Sequence, residues 1–312
     1  MRIVFMGTPD FAVPSLRALV EAGHDVVGVI TATDKYGGRG GKQLLESAVK
    51  RYAVSQSIPV LQPKNLKAPE FVEALRALRA DLQIVVAFRM LPEVVWNMPP
   101  RGTFNLHGSL LPKFRGAAPI HWAVIRGEAQ TGVTTFFLQH AIDTGHIILQ
   151  KSLPIGPNDT TGDVHDRMME LGAEAVLETV SRIAEGRVDP QEQDDRLATK
   201  APKLFTEMCE IDFGQPAATV HNFIRGLSPF PAAWTTLQGK KLKLYRSSLP
   251  AEQPTAPGQP GSFYVAGKAE LYVAAADGWI QLHELQLQGK RRMKTVDFLN
   301  GQRNLVDPSS VS

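Results

Sequence analysis

The sequence predicts an α/β fold in which a mostly parallel sheet carries helices on both faces and is followed by a small, antiparallel C-terminal β domain. Three observations lead there. Between residues 2 and 30 an apolar run, an amphipathic helical pattern and a second apolar run succeed one another, the signature of a βαβ unit. Residues 82–88 are almost continuously apolar, as a central strand buried on both faces must be. Beyond residue 205 the texture shifts to short β-rich runs with turn signals between them.

Taken in order, Arg2 to Met6 reads as the first strand and Pro9 to Glu21 as a helix with Phe11, Leu16, Leu19 and Val20 on its apolar side. Gly23-His24 ends that helix, and Asp25 to Ile30 is the second strand. Only Gly7 follows the first strand, not Gly-x-Gly-x-x-Gly, so a Rossmann-like opening here does not imply a nicotinamide cofactor. Residues 34–42 hold four glycines and three cations in nine positions, which predicts a mobile basic loop. It is not a Walker motif, because Gly41-Lys42 precedes Gln43 instead of Ser or Thr. Contact with a nucleic-acid phosphate backbone is the better use of its cations.

Ser47 to Val54 and Pro69 to Arg79 read as helices, and Leu82 to Phe88 as the central strand. After a strand around Asn105 come a helix near Ala118 to Arg126, strands Gly132 to Gln139 and Ile147 to Leu149, and an amphipathic helix Thr161 to Glu185. The Pro-bearing, charged stretch 189–204 predicts a linker between an N-terminal domain, 1–188, and a C-terminal domain, 205–312. In the latter, Cys209 to Phe213, Trp234 to Leu237, Leu242 to Tyr245, Gly261 to Val265, Glu270 to Ala274 and Trp279 to Leu287 read as strands of a small barrel. One helix, Ala217 to Ile224, is inserted, Pro250 to Pro260 is a loop, and the tail after Leu305 frays.

With 43% hydrophobic and 21% charged residues, 312 residues can bury a sizeable core and form two domains. No apolar stretch approaches a membrane span and the first apolar run is too short for a secretion signal, so a cytoplasmic protein without membrane contact is expected. The single cysteine, Cys209, excludes an internal disulfide and fits a reducing compartment; nothing beside it would activate it as a nucleophile. The net charge of +3 is unevenly spread, with 13 Lys and Arg against 9 Asp and Glu in residues 200–312. A solvated face explains such an excess as well as a polyanionic partner does.

The most informative stretch is Asn105-Leu106-His107-Gly108-Ser109-Leu110-Leu111-Pro112. An amide, an imidazole and a hydroxyl alternate, and in an extended segment alternate side chains share a face, so all three are expected to meet one ligand at a strand end. Asp143, in the turn 141–146, is the leading partner for His107, since a carboxylate orients imidazole and favours its charged form. Together they suit acyl transfer to an amine through a tetrahedral intermediate: His107 takes the proton of the attacking nitrogen, Asn105 holds the oxyanion and Asp143 fixes the imidazole. A merely hydrogen-bonded structural His107 is the plain alternative. Two further ones are zinc held by His140, Asp143, His146 and His107, whose spacing matches no recognised zinc pattern, and a non-catalytic RNA-binding protein.

Asn105-x-His107-Gly-Ser-Leu-Leu-Pro112 with Arg115-Gly-Ala-Ala-Pro119, and then Asp143-Thr144-Gly145, resemble the two active-site signatures of the methionyl-tRNA formyltransferase family. The resemblance runs over nearly the whole chain. It extends through Phe5-Met6-Gly7-Thr8-Pro9-Asp10-Phe11, Gly38-Arg39-Gly40, Ile224-Arg225-Gly226-Leu227-Ser228-Pro229, Ala233-Trp234 and Gly289-Lys290-Arg291-Arg292-Met293. It implies a Rossmann-like N-terminal domain, an oligonucleotide-binding type of C-terminal barrel, 10-formyltetrahydrofolate as formyl donor without a metal, and charged initiator tRNA as acceptor. Asn105, His107 and Asp143 become the catalytic group. Ser109, Leu110, Leu111 and Pro112, together with Phe88, Arg89, Met90 and Leu91, become the donor site. Arg39, Lys42, Lys290, Arg291 and Arg292 are the expected tRNA contacts, and the expected state is a monomer. Formyltransferases acting on sugar-nucleotide amines share the Asn-His-Asp set, which makes such an amine the alternative acceptor. Three departures stand out: Lys35-Tyr36 where the family often has Arg-Pro, Arg89 near an expected glycine, and His146 for a usual Asp.

Overall fold

The protein's structure, a computed structural model, describes residues 1–37, 40–255, 258–302, 304 and 306. Two compact units interleave along the chain: Met1–Gly116, Thr131–Leu153 and His165–Lys200 form the first, and Ala117–Gln130, Pro154–Val164 and Ala201–Ser312 the second. A sequence division at 189–204 follows the chain. The packing instead keeps 189–200 in the first unit and gives two short segments of the N-terminal half to the second.

The first unit opens with β1 (Arg2–Gly7), α1 (Val13–Glu21) and β2 (Asp25–Ile30), the βαβ unit that the periodicity predicts. Pro14 sits in the first turn of α1, where its missing N–H is no loss. A short antiparallel hairpin, β3 (Lys35–Gly37) with β4 (Gln43–Leu45), frames the glycine-rich loop. That hairpin departs from the wholly irregular segment expected, because the strand formers Tyr36, Leu44 and Leu45 flank the glycines. α2 (Ala48–Ser55) is capped by Ser47, whose hydroxyl accepts from the Lys50 N–H at 3.0 Å.

β5 (Val60–Leu61), α3 (Pro69–Ala77), β6 (Leu82–Val86), α4 (Glu93–Trp96) and β7 (Thr103–His107) follow. β6 is buried throughout and stops two residues short of the apolar run, because Ala87 turns the chain with a φ of 49°. α5 (Pro119–Ile125) belongs to the second unit; β8 (Gln130–Phe137), β9 (Ile147–Pro154) and α6 (Thr161–Ala184) come next.

The sheet order is β5-β2-β1-β6-β7-β8-β9, parallel from β5 to β7, with β8 antiparallel to β7. The order reverses between β1 and β6, and ligands of open parallel sheets bind outside the carboxyl ends of strands at such a point. Val4, Met6 and Val85 pack with Phe71 and Leu75 of α3 and Val95 of α4. On the other face Leu106 lies against Gly172 of α6, and the hydroxyls of Thr135 and Thr179 are hydrogen-bonded at 2.7 Å. Asn105 and His107 alternate with Leu106 and therefore face the α3 and α4 side. Fully buried side chains such as Phe5 and Phe104 anchor the sheet, each stabilising it by roughly 1.5–3 kcal/mol.

The second unit contains α7 (Ala217–Gly226), β10 (Ala233–Leu237), β11 (Lys240–Ser248), β12 (Phe263–Ala266), β13 (Glu270–Ala274), β14 (Trp279–Leu287), β15 (Met293–Lys294) and α8 (Thr295–Gln302). Its antiparallel sheet runs β10-β11-β14-β13-β12, with β15 on β14. Leu242, Leu244, Ile280, Leu282 and Leu285 on one face bury Val220 and Ile224 of α7. The strand expected at Cys209 to Phe213 is a 3₁₀ turn, Thr206–Cys209, followed by one bridge from Glu210 to Trp234. There the Cys209 thiol bonds the Phe205 carbonyl, and burial pushes its pKa up. Two buried side chains of α7 hold the segment 154–164. His221 donates from Nε2 to Pro157 O at 2.9 Å and accepts at Nδ1 from Ser247 Oγ at 2.8 Å. Arg225, 4% exposed, donates to Gly156 O at 3.1 Å and to Asp159 O at 2.9 Å.

Candidate active site

The site begins at the carboxyl end of β7. Asn105 pairs with Val85 and Phe136 across the sheet, and His107, only 6% exposed, pairs with Thr134. Ser109 departs from the alternation: it lies past the strand, is fully buried, and donates its hydroxyl to Lys113 O at 2.6 Å. The residues that were expected to share one ligand thus reduce to Asn105 and His107. Thr134 braces the loop that follows, donating to Ser109 O at 2.6 Å and accepting from Leu111 N at 3.0 Å. Gln150 donates to Leu111 O at 2.8 Å, so the backbone of 109–111 is fixed from two neighbouring strands, with Leu111 buried and Leu110 and Pro112 half-buried.

Asp143 reaches His107 by an indirect route. β8 runs against β7, so its end at Phe137 lies beside Phe104, and Leu138 N donates to Thr103 O. The turn 138–146 leaves at that far end and folds back until Asp143 Oδ2 lies 3.8 Å from His107 Nδ1. Gly145 permits this close approach: a Cβ there would stand 1.7 Å from Phe137 O. Asp143 itself adopts a left-handed φ of 56°, and Oδ2 accepts from Gly116 N at 2.8 Å.

His107 Nε2 lies 2.9 Å from the carbonyl of Phe114. A carbonyl only accepts, so Nε2 carries the proton and the lone pair of the neutral ring sits on Nδ1, towards Asp143. The tripeptide Phe114-Arg115-Gly116 therefore touches both side chains, with a φ of 61° at Phe114 and 126° at Gly116 shaping it. The stretch read as linker also joins the site. Gln191 pairs with Ile147 through both backbone groups at 2.8 Å, and Thr199 bonds Phe114 N and Arg115 N at 2.8 and 2.9 Å. Gln193 donates to Asp143 O at 2.9 Å and Gly145 O at 2.8 Å, and accepts from Arg115. Sequence reasoning missed Phe114, Gly116, Gln193 and Thr199, because all four act through backbone groups or hold backbone; the Arg115-Gly116 pair in the motif was the available signal.

Of the other expected site residues, Arg89, Met90 and Leu91 line a cavity of about 720 Å³ together with Lys64 to Lys67 and Pro92 to Val94. The loop that forms it follows β6, the strand paired with β7. Arg89 is tied there by donation to Lys64 O at 3.0 Å and to Pro63 O, and lies over the ring of Phe88. Arg39 lies outside the described residues, while Lys42 is exposed beside β4. Lys290 and Arg291 are exposed, whereas Arg292 is committed to Glu284 and stacks over Tyr245 at 4.3 Å. His140 turns to Glu93 at 3.6 Å and to the edge of Trp96, and His146 is exposed. Among the described residues no group of three His, Cys, Asp or Glu could hold a metal ion, and no helix is long and apolar enough to cross a membrane.

Residues 1–180 match the family model described as Formyl transferase, and residues 203–303 match that of its C-terminal domain. A methionyl-tRNA formyltransferase of Parabacteroides distasonis is 56% identical over 317 residues, spanning 98% of this chain and 97% of the relative. Among solved structures, an N-formyltransferase from Helicobacter canadensis in complex with folinic acid and dTDP-3-aminofucose shares the fold, with a TM-score of 0.68 and 20% identity over 90% of this chain and 98% of that one. HypX from Aquifex aeolicus, in complex with tetrahydrofolic acid, does so with a TM-score of 0.67 and 19% identity over 98% of this chain and 48% of that one. On full-length identity of this order, with both domains matched, the chain belongs to the methionyl-tRNA formyltransferase family.

Proposed function

We infer that the protein transfers a formyl group to the free amino group of methionyl-initiator tRNA, with 10-formyltetrahydrofolate as the donor. The observation that carries the chemistry is the placement of the His107 ring: Nε2 lies 2.9 Å from Phe114 O, which occupies that nitrogen as a donor, and leaves Nδ1, 3.8 Å from the Asp143 carboxylate, to receive a proton. The attacking amine forms its bond to the formyl carbon while its proton passes to Nδ1. Asp143 then stabilises the imidazolium, which hands that proton to the folate nitrogen as its bond to the formyl carbon breaks, so the leaving amine departs neutral and His107 returns to its starting state. Asn105, on the same face of β7, donates its amide N–H to the formyl oxygen as negative charge develops there.

The cavity beside Arg89 has the size that takes a folate-sized molecule, and Lys64 and Lys67 on its rim suit the donor's carboxylates. Lys42, Lys290 and Arg291 are the exposed cations for tRNA phosphates, with Arg39 in the same role. The test is incubation of the protein with 10-formyltetrahydrofolate and charged initiator tRNA, reading N-formylmethionine. The expected result is formylation of the tRNA-bound amine. Faster formylation of a sugar-nucleotide amine would overturn the acceptor.

A further inference from the structure

We propose that Gln193 is a positioning residue for the catalytic pair, locking the Asp143 turn against His107; this rests on the reading of His107 and Asp143 as the catalytic groups. Asp143 holds a left-handed φ of 56°, a conformation that a non-glycine residue keeps only when its surroundings enforce it. Only part of that enforcement comes from within the turn. Gly145 sits flat on the backbone of β8, and the Thr144 hydroxyl bonds Ala141 O at 3.1 Å.

The rest comes from a residue fifty positions away in sequence. Gln193 Nε2 spends its two hydrogens on Asp143 O and Gly145 O, at 2.9 and 2.8 Å, and so clamps the turn on both sides of Thr144. Its orientation is fixed from behind: Oε1 accepts from Arg115 Nε at 3.1 Å and Nη2 at 2.7 Å, and Arg115 is held in turn by Asp195 at 2.7 Å. An amide with donors facing carbonyls and its oxygen facing a guanidinium has one sensible orientation. Arg115 lies between Phe114, whose carbonyl sets the His107 tautomer, and Gly116, whose N–H binds Asp143 Oδ2. A ring therefore closes from His107 through Phe114, Arg115 and Gln193 to Asp143. Gln193 is 8% exposed and contributes only through these neighbours.

Glu at position 193 preserves length and the acceptor for Arg115 but sets oxygen against the two carbonyls. Gln193→Glu is expected to lower kcat about tenfold or more, with KM for donor and for tRNA within about twofold, because misplacing a catalytic group by a fraction of its reach costs on this scale. Arg115→Met, which releases Oε1, should give the same split, and it carries the test if Gln193→Glu does not fold. Groups acting through one another are not additive, so Gln193→Glu added to Asp143→Asn should cost nothing beyond Asp143→Asn alone. Wild-type kcat in a folded Gln193→Glu beside a crippled Asp143→Asn would overturn the positioning role. Losses that multiply in the double variant, or a rise in KM without a fall in kcat, would do so as well. Wild-type kcat in Asp143→Asn would instead overturn the catalytic pair itself.

Discussion

His107 in the first unit and His221 in the second differ at a single atom that decides what each can do. Both are buried, at 6% and 3% exposure, and both donate from Nε2 to a backbone carbonyl at 2.9 Å. At Nδ1 they part. His221 accepts the Ser247 hydroxyl there, which completes its hydrogen bonding and leaves it a neutral structural tie between α7 and the segment 154–164. His107 has its Nδ1 3.8 Å from the Asp143 carboxylate, too far for a direct hydrogen bond and close enough to stabilise positive charge on the ring. Burial with one good hydrogen bond does not separate a structural histidine from a chemical one. The second nitrogen does.

The largest effect that should separate the two regions is on turnover. Asp143→Asn should lower kcat by roughly 100-fold or more, and Asn105→Ala by a similar factor, since one removes the charge that stabilises the imidazolium and the other an oxyanion donor. Steady-state formylation assays read both, and turnover within about threefold of wild type in both would erase the distinction. In the second unit the expected loss is of stability. His221→Ala leaves the Pro157 carbonyl and the Ser247 hydroxyl without their partner, at a cost of about 2 kcal/mol in a urea melt, with turnover per folded molecule unchanged.

The same histidine sets a pH dependence. Burial depresses the folded-state pKa of His221 below 6.5, so the unfolded chain takes up its proton first as pH falls. The contribution is fully present above the unfolded value near 6.5 and declines below it until the folded form also protonates. The midpoint of urea unfolding should therefore drop between pH 7 and pH 5 by less in His221→Gln than in wild type; equal drops would remove His221 from the account.

The smallest effect concerns the basic run. Replacing Lys290 and Arg291 by Ala should make the slope of log tRNA affinity against log salt shallower by about 1 to 2 units. Arg292→Ala, already neutralised by Glu284, should change it by less. A greater change from Arg292 than from the other two together would reverse their roles.

How much of this was legible depended on whether the information lay in side chains or in backbone. The βαβ opening and the buried β6 could be read because periodicity is a side-chain property. That Asp143 would lie beside His107 could be read because both stand in motifs of chemically distinctive residues. The hairpin around the glycine-rich loop, the early end of β6 at Ala87 and the 3₁₀ turn at Cys209 could not, since each is decided by local backbone geometry. The stretch 189–200 was misread for a related reason: its prolines and charges resemble a linker, yet Gln191, Gln193 and Thr199 attach it to the active-site loops largely through backbone groups. Arg225, which stands in a family-like motif, is a buried tie to the segment 154–164.

The contrast between the two histidines is tested most directly by the single-turnover rate of formyl transfer from 10-formyltetrahydrofolate to charged initiator tRNA, measured for His107→Gln and His221→Gln at equal concentrations of folded protein. Glutamine keeps an amide N–H for the carbonyl that each imidazole serves and removes the titratable nitrogen. The rate is expected to fall about 100-fold or more in His107→Gln, the usual scale for a general base, and to stay within about twofold of wild type in His221→Gln. A His107→Gln rate within about threefold of wild type, or an equal fall in both variants, would contradict the assignment of proton transfer to His107.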